Sequence, residues 1–224
     1  MSALRRVLVT GGARGIGRAI ADRFRSAGHD VLTPSRDELD LSDLSAVRDF
    51  ASSDGAAEID VLVNNAGENK PMRLDEIEPE ALARILAVNV SAPFLLSRYL
   101  GTRMAERGWG RIVNISSVYS LVSREKRSMY STSKSALNGL TRALAVELGP
   151  RGVLANAICP GFVDTELTRQ NNTPAEIAEL CALVPLGRLA AIGEIAEFVY
   201  FIGSDANTYI TGQTLAIDGG FLCR

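Results

Sequence analysis

Short apolar runs alternate with longer stretches in which apolar residues recur at helical spacing, and this rhythm organises nearly all of the 224 residues. The runs 7–10, 31–33, 61–64, 112–116, 154–159 and 214–217 read as buried strands. Between them, 18–27, 79–106, 129–148, 174–183 and 193–202 read as helices, with Pro79 and Pro174 placed as first-turn prolines. Strands that are apolar throughout and separated by helices predict a doubly wound α/β fold, a parallel sheet covered on both faces. Only residues 34–39 separate the second strand from Asp40-Leu41, too few for a crossover helix and a full third strand. The expected sheet therefore has six strands, or seven with a rudimentary strand at that edge. Pro93 falls inside the 79–106 pattern just after Asn89, so that helix should be disturbed there and able to turn a side chain or carbonyl toward a site.

Composition narrows the picture. A chain that is 46% hydrophobic and 22% charged over this length supports one large domain, 1–224. A formal net charge of −2 and a pI near 5.6 provide no basic field for nucleic acid and no polybasic segment for a membrane, so a small-molecule partner is expected. The apolar run behind Arg5 and Arg6 ends at Val9, too short for a signal peptide or a spanning helix, and a cytoplasmic location is expected. Cys159, Cys181 and Cys223 are scattered and His29 lies far from them, so the expectation is reduced thiols and no metal.

The chemistry is carried by a few local patterns. Thr10-Gly11-Gly12-Ala13-Arg14-Gly15-Ile16-Gly17 joins the first strand to the first helix and reads as a phosphate-cradling turn. Gly11 permits the sharp turn, Gly15 leaves room for a pyrophosphate, and Gly17 lets the helix pack closely, although such turns also serve plain packing. Tyr130 and Lys134 are four apart in a helical stretch, which puts phenol and ammonium on one face. A neighbouring cation is expected to lower the phenol's pKa from about 10 and make Tyr130 a usable general acid or base. Ser117 follows the fourth strand, where its hydroxyl could hold a carbonyl oxygen, and Asn64-Asn65-Ala66-Gly67 ends the third strand with residues small enough for a cofactor to lie against. Each feature alone has a plain structural reading: a surface Tyr–Lys pair, a turn serine, an Asn-rich turn.

Taken together, their order and separations resemble the short-chain dehydrogenase/reductase family. The match runs from Gly11, Gly15 and Gly17 through Asn64 to Gly67, Asn89, Ser117, Tyr130, Lys134 and Pro160-Gly161 to Thr211-Gly212-Gln213 and Asp218-Gly219-Gly220. The resemblance implies a Rossmann-type sheet carrying a nicotinamide cofactor, and hydride transfer between it and a carbonyl or secondary alcohol. It implies that Ser117 orients the substrate, Tyr130 moves the proton, Lys134 binds the nicotinamide ribose and lowers the Tyr130 pKa, and Asn89 supports a water relay. It also implies that Ile16 belongs to the cofactor turn, and Asn65, Ala66 and Gly67 to the cofactor cleft. Pro160, Gly161, Val163 and Thr165 would line the nicotinamide pocket, with Thr165 bonding the carboxamide. Asp40 and Leu41 resemble the pair that contacts adenine.

Cofactor choice is expected at the end of the second strand, where an acidic side chain favours NAD(H) and a basic one NADP(H). Ser35 occupies the acidic position, while Arg36 and Arg14 could clamp a 2′-phosphate, so NADP(H) is preferred. NAD(H) is the alternative, because Asp37 or Glu38 could reach the ribose if the shortened loop folds differently. The overall pattern resembles 3-oxoacyl carrier-protein reductases and sugar or polyol dehydrogenases, implying a small carbonyl or alcohol substrate, free or carrier-bound. It further implies a substrate lid at about 166–183, and a homodimer or homotetramer built on the 79–106 and 129–148 helices. Arg124, Lys126 and Arg127 precede Tyr130 as either a solvated charge run around Glu125 or a surface for an acidic partner. The competing functional reading is a catalytically silent NADP(H)-binding regulator.

Overall fold

In the computed structural model, which describes residues 4–223, six parallel strands form one sheet in the order β2-β1-β3-β4-β5-β6. The strands are β1 (Arg6–Val9), β2 (Asp30–Leu32), β3 (Val61–Asn64), β4 (Gly110–Ile115), β5 (Val153–Pro160) and β6 (Thr214–Ile217). Every strand run read from the apolar pattern is present. Alternating side chains divide the core into two layers, as a period of two requires. Leu8, Leu62 and Ile112 face one layer, with Val47 and Ala51 of α2 (Leu44–Ser52), Leu96, Leu100 and Met104 of α4 (Ala92–Glu106), and Leu144 and Leu148 of α5 (Ser128–Leu148). Val7, Val9, Val61, Val63 and Val113 face the other, with Ile20 and Phe24 of α1 (Gly15–Ser26) and Ile195, Val199 and Ile202 of α8 (Ile192–Gly203).

Among the described residues the sheet has no strand beyond β2, in agreement with the short 34–39 connection. The chain instead makes a tight turn there, and helix α2 follows before β3. That helix was not among the expected ones. Its apolar stripe is short, and its clearest signal is the cap, where Asp43 accepts hydrogen bonds from the Ser45 and Ala46 amides.

The disturbance expected near Pro93 is also found. The 79–106 stretch is α3 (Pro79–Leu86), a π-helical segment at Ala87–Ser91, and α4. Pro93 sits in the first turn of α4, where its missing N–H does no harm. By length and composition this stretch could cross a membrane. Here Leu96, Leu100 and Met104 are fully buried in the core of the fold.

Strand order reverses between β1 and β3, both leaving the sheet at their carboxyl ends beside one another. Such a switch point opens a crevice between the two following loops. The glycine turn and the 64–67 turn are those loops. After β5, helices α6 (Glu166–Asn171) and α7 (Pro174–Ala182) contain no buried residue and stand outside the core.

Candidate active site

The glycine turn is held by Thr10, which the sequence does not single out as a site residue, and by Asn65, which it does. The Thr10 hydroxyl accepts from the Asn65 and Ala66 amides at 3.0 Å each, and Asn65 Nδ2 donates to the carbonyls of Thr10 (2.9 Å) and Gly11 (3.3 Å). Asn65 thus spends its side chain bracing the turn. A Cβ at Gly17 would collide with the Gly11 carbonyl and the Asn65 amide, so only glycine lets α1 start this close. Gly15 is different: its φ of +55° favours glycine, and the space where a Cβ would stand is open. Helix α1 begins with no side-chain cap and no acidic residue in its first turn. Free amides at the positive end of a helix dipole, under an open approach, fit a pyrophosphate. Arg14 adds an exposed guanidinium with no ion pair among the described residues, while Ile16 is half-buried behind the turn.

At the end of β2 the short loop changes the expected electrostatics. Glu38 accepts from the Ser35 amide at 2.7 Å, and Ser35 Oγ accepts from the Glu38 amide at 3.3 Å. A carboxylate therefore stands beside Ser35, and it is Glu38, one of the two acidic residues that the short loop left open for this place. Turn closure is the cause, since four residues suffice for this reciprocal pair. Arg36 Nε lies 3.5 Å from Asp40 Oδ2, and Asp40 Oδ1 accepts from the Ser42 amide and hydroxyl at 2.9 and 2.7 Å. Leu41 is buried in the core, leaving its backbone for any adenine contact.

A buried polar chain ties α5 to the sheet. Asn64 Nδ2 donates to Asn114 Oδ1 (2.8 Å), and Asn114 Nδ2 donates to Thr141 Oγ1 on α5 (2.9 Å). Two residues beyond Asn114, Ser116 Oγ donates to the Lys134 carbonyl at 3.1 Å. These bonds bring Ser117, Tyr130 and Lys134 together at the end of β4, as the spacing suggested. Ser117 Oγ accepts from the Tyr119 amide at 3.1 Å, so its own O–H remains to donate. The Lys134 ammonium is 5.7 Å from the Tyr130 ring centroid and donates to the Ile115 carbonyl at 2.7 Å.

The expected depression of the Tyr130 pKa is not found. Burial raises it above the ordinary value, and hydrogen bonding to Ser117 and the Arg127 charge only partly oppose this. Burial also pulls the Lys134 amine down to about 8, so it gives up its own proton before the phenol would ionise. The proton-bearing phenol is therefore the favoured form.

Asn89 lies in the π-helical segment, fully buried. Its Oδ1 accepts from the Glu68 amide (2.8 Å), and its Nδ2 donates to the Glu68 carbonyl (2.9 Å) and Ser133 Oγ (3.0 Å). The side chain is thus engaged by the protein. Gly67 sits between Asn89 and Lys134, and a Cβ there would press on both Asn89 Oδ1 (3.2 Å) and Lys134 Nζ (3.3 Å). Ala66 beside it is half-buried.

On the opposite wall, Gly161 donates to the Ile217 carbonyl at 3.0 Å, directly after Pro160. Val163 bridges to Ala190, and Thr165 Oγ1 accepts from the Thr168 amide at 3.0 Å to cap α6. Thr165 therefore serves as a helix cap. Tyr119, Phe162 and Phe221 form an edge-to-face series along this side, with centroids 6.5 and 5.1 Å apart.

Comparison with known proteins shows the family. The family profile described as enoyl-(acyl carrier protein) reductase matches residues 37–222. The 3-oxoacyl-(acyl-carrier-protein) reductase FabG of Escherichia coli (strain K12) is 34% identical over 236 residues, covering 95% of each chain. A Beutenbergia cavernae crystal structure with NADP bound at low occupancy, assigned only provisionally as an NAD(P)-dependent gluconate 5-dehydrogenase, superposes with a TM-score of 0.89. It is 36% identical, covering 100% of this chain and 99% of that one. The gluconate 5-dehydrogenase of Burkholderia cenocepacia J2315, in complex with NADP and tartrate, is 30% identical with a TM-score of 0.86, covering 98% and 96%. The chain belongs to the short-chain dehydrogenase/reductase family of NAD(P)-dependent oxidoreductases.

Proposed function

We propose that this protein is an NADP(H)-dependent oxidoreductase that interconverts a carbonyl compound and a secondary alcohol. The observation that carries the reading is the convergence of Ser117, Tyr130 and Lys134 at the end of β4, beside an open, uncapped glycine turn. NADP(H), when bound, supplies or accepts the hydride. The glycine turn and the start of α1 would hold its pyrophosphate, Arg14 and Arg36 its 2′-phosphate, and Asp40 with the Leu41 backbone its adenine. Gly67, Pro160, Gly161, Val163 and Thr165 would enclose its nicotinamide end.

The chain's own residues then divide the work. Ser117, which hydrogen-bonds to Tyr130 without substrate, turns its O–H to the substrate oxygen and so positions the reacting carbon. Tyr130, kept protonated by burial, gives its proton to that oxygen in the reductive direction and takes it back in the oxidative one. Lys134 has two ammonium hydrogens beyond the bond to Ile115 and uses them to hold the ribose. Because the Asn89 side chain is already satisfied, its part in a relay falls to the main chain of the π-helical segment, where the regular hydrogen-bond ladder is interrupted.

NADP(H) is preferred to NAD(H) on the unpaired Arg14 and on the NADP bound in both structural relatives named above. The substrate is a small carbonyl or alcohol, free or carrier-bound as in the relative FabG. Helices α6 and α7, with no residue in the core, form the lid. Exposed Phe94 on α4 and Val146 on α5, 53% and 76% accessible, suit pairing into a homodimer or homotetramer. The cytoplasm is the proposed location. A catalytically silent regulator gains no support, since the relatives are named as reductases and dehydrogenases and all three reacting side chains are together.

The test is fluorescence titration with NADPH and NADH, followed by addition of ketones, 3-oxoacyl thioesters and keto-sugars. Preferential NADPH binding with oxidation by one of these is the expected result. Binding of neither nucleotide would overturn the proposal.

A further inference from the structure

Two guanidinium groups stand without a carboxylate at the rim of the Tyr130 site. Arg124 and Arg127 both lie over the Tyr119 ring, 5.8 and 5.6 Å from its centroid. Tyr119 is two residues beyond Ser117 and begins the aromatic series with Phe162 and Phe221. The two cations therefore stand beside the first ring of that series, and the Arg127 charge reaches the Tyr130 phenol. An open cavity of about 410 Å³ is lined by Pro71, Arg124, Glu125, Lys126 and Arg127.

The loop that carries them is held in place. Arg127 Nη1 donates to Asn69 Oδ1 at 2.6 Å, and the Met72 amide donates to the Lys126 carbonyl at 3.2 Å. Lys126 adopts a left-handed φ of +64°, unusual for a residue with a side chain. Strain of this kind is retained where the surroundings over-determine a conformation, often at ligand-binding loops.

The charges themselves are unbalanced. Arg127 Nε is buried and has no hydrogen-bond partner. Among the described residues, neither Arg124 nor Arg127 pairs with a carboxylate. By contrast, Arg84, Arg169 and Arg188 each grip one through two nitrogens. Glu125 lines the same cavity but bonds to neither arginine, and Glu68, next to Asn69, is taken by Arg84. Two adjacent cations with an unfilled buried donor are costly unless an anion completes them.

We infer that Arg124 and Arg127 bind an anionic group, a carboxylate or a phosphate, carried by the substrate a few bonds from its reacting carbonyl. This deepens the oxidoreductase reading and rests on it. The substrate class is then the oxo acids and hydroxy acids or their phosphorylated equivalents. A neutral ketone has no group for this site. A carrier or coenzyme thioester has its nearest charge at the far end of a pantetheine arm, too remote from the carbonyl to reach guanidinium groups that lie over Tyr119, two residues beyond Ser117.

The test is NADPH-dependent reduction of four six-carbon or acyl probes: 5-oxogluconate, fructose 6-phosphate, neutral fructose and acetoacetyl-CoA. One anionic ketone is expected to exceed fructose in kcat/KM by about 100-fold or more, and which one it is distinguishes carboxylate from phosphate. Arg124→Gln and Arg127→Gln should each lower that anionic-to-neutral ratio by roughly 10- to 100-fold, mainly through KM, with Arg124→Lys retaining part of it. The NADPH Kd of each variant, expected within about threefold of the parent, checks that the cleft is intact. Equal reduction of fructose, faster reduction of the thioester, or an unchanged ratio in both Gln variants would overturn the inference while leaving the oxidoreductase reading in place. No NADPH oxidation with any probe would overturn both.

Discussion

Replacing Arg36 by Ala should weaken NADPH binding selectively, and the size of the loss follows from what Arg36 does without ligand. A guanidinium–phosphate hydrogen bond contributes on the order of 1.5–3 kcal/mol. Arg36, however, lies 3.5 Å from Asp40, with side chains 67% and 41% exposed, and must leave that pair to reach a 2′-phosphate. An exposed pair of this kind is worth roughly 0.2–1 kcal/mol, so the net loss is about 1–2 kcal/mol, or about 5- to 30-fold in the NADPH Kd. Arg14 has no such pair to break, and Arg14→Ala should cost more. The assay is fluorescence titration with NADPH and NADH at low and high salt. NADH binding should change less than about twofold in Arg36→Ala, and high salt should narrow the difference between the nucleotides because both cations are exposed. Equal losses for NADPH and NADH would refute the placement of the 2′-phosphate.

Other outcomes follow from the same geometry. Lys134 has its pKa lowered from 10.5 to about 8 by burial, so the unfolded chain binds more protons between those values. Stability should therefore rise from pH 8 to 10.5 on this group's account, by up to about 3 kcal/mol, and fall to its floor below pH 8. Lys134→Met should remove that rise, as read from urea unfolding at pH 7 and 9.5, and an unchanged pH dependence would contradict the burial argument. Gly17→Ala places a methyl against the Gly11 carbonyl and the Asn65 amide, and should cost NADPH affinity at least tenfold with a lower melting temperature. Asn89→Ala removes three buried hydrogen bonds and should destabilise the fold by roughly 2–4 kcal/mol, measured by denaturant unfolding.

Much of this architecture was legible because burial on both faces makes strands nearly continuous apolar runs. Val7-Leu8-Val9 and Val61-Leu62-Val63 need no partner to be recognised, and Pro93 marked the helix disturbance that became the π-helical segment. Tyr130 and Lys134 were legible as a pair because helical spacing alone brings them together. Three things depended on tertiary closure. Helix α2 has only Val47 and Ala51 fully buried and is set by the Asp43 cap. The Glu38 carboxylate arrives beside Ser35 only because the loop after β2 is so short. The raised Tyr130 pKa arises from burial beneath surrounding chain, which spacing between two residues cannot convey. The unpaired Arg127 donor was hidden too, since a charge run in sequence does not reveal which charges find partners.

The central claim is that Tyr130 moves the proton in an NADP(H)-dependent reduction, and one comparison tests it most directly. Turnover and NADPH Kd would be measured for the parent protein and for Tyr130→Phe with the best carbonyl substrate. A loss of turnover of about 100-fold or more is expected with the Kd within a few-fold, because the phenyl ring keeps its place and only the proton donor is gone. Turnover unchanged in Tyr130→Phe would contradict that claim.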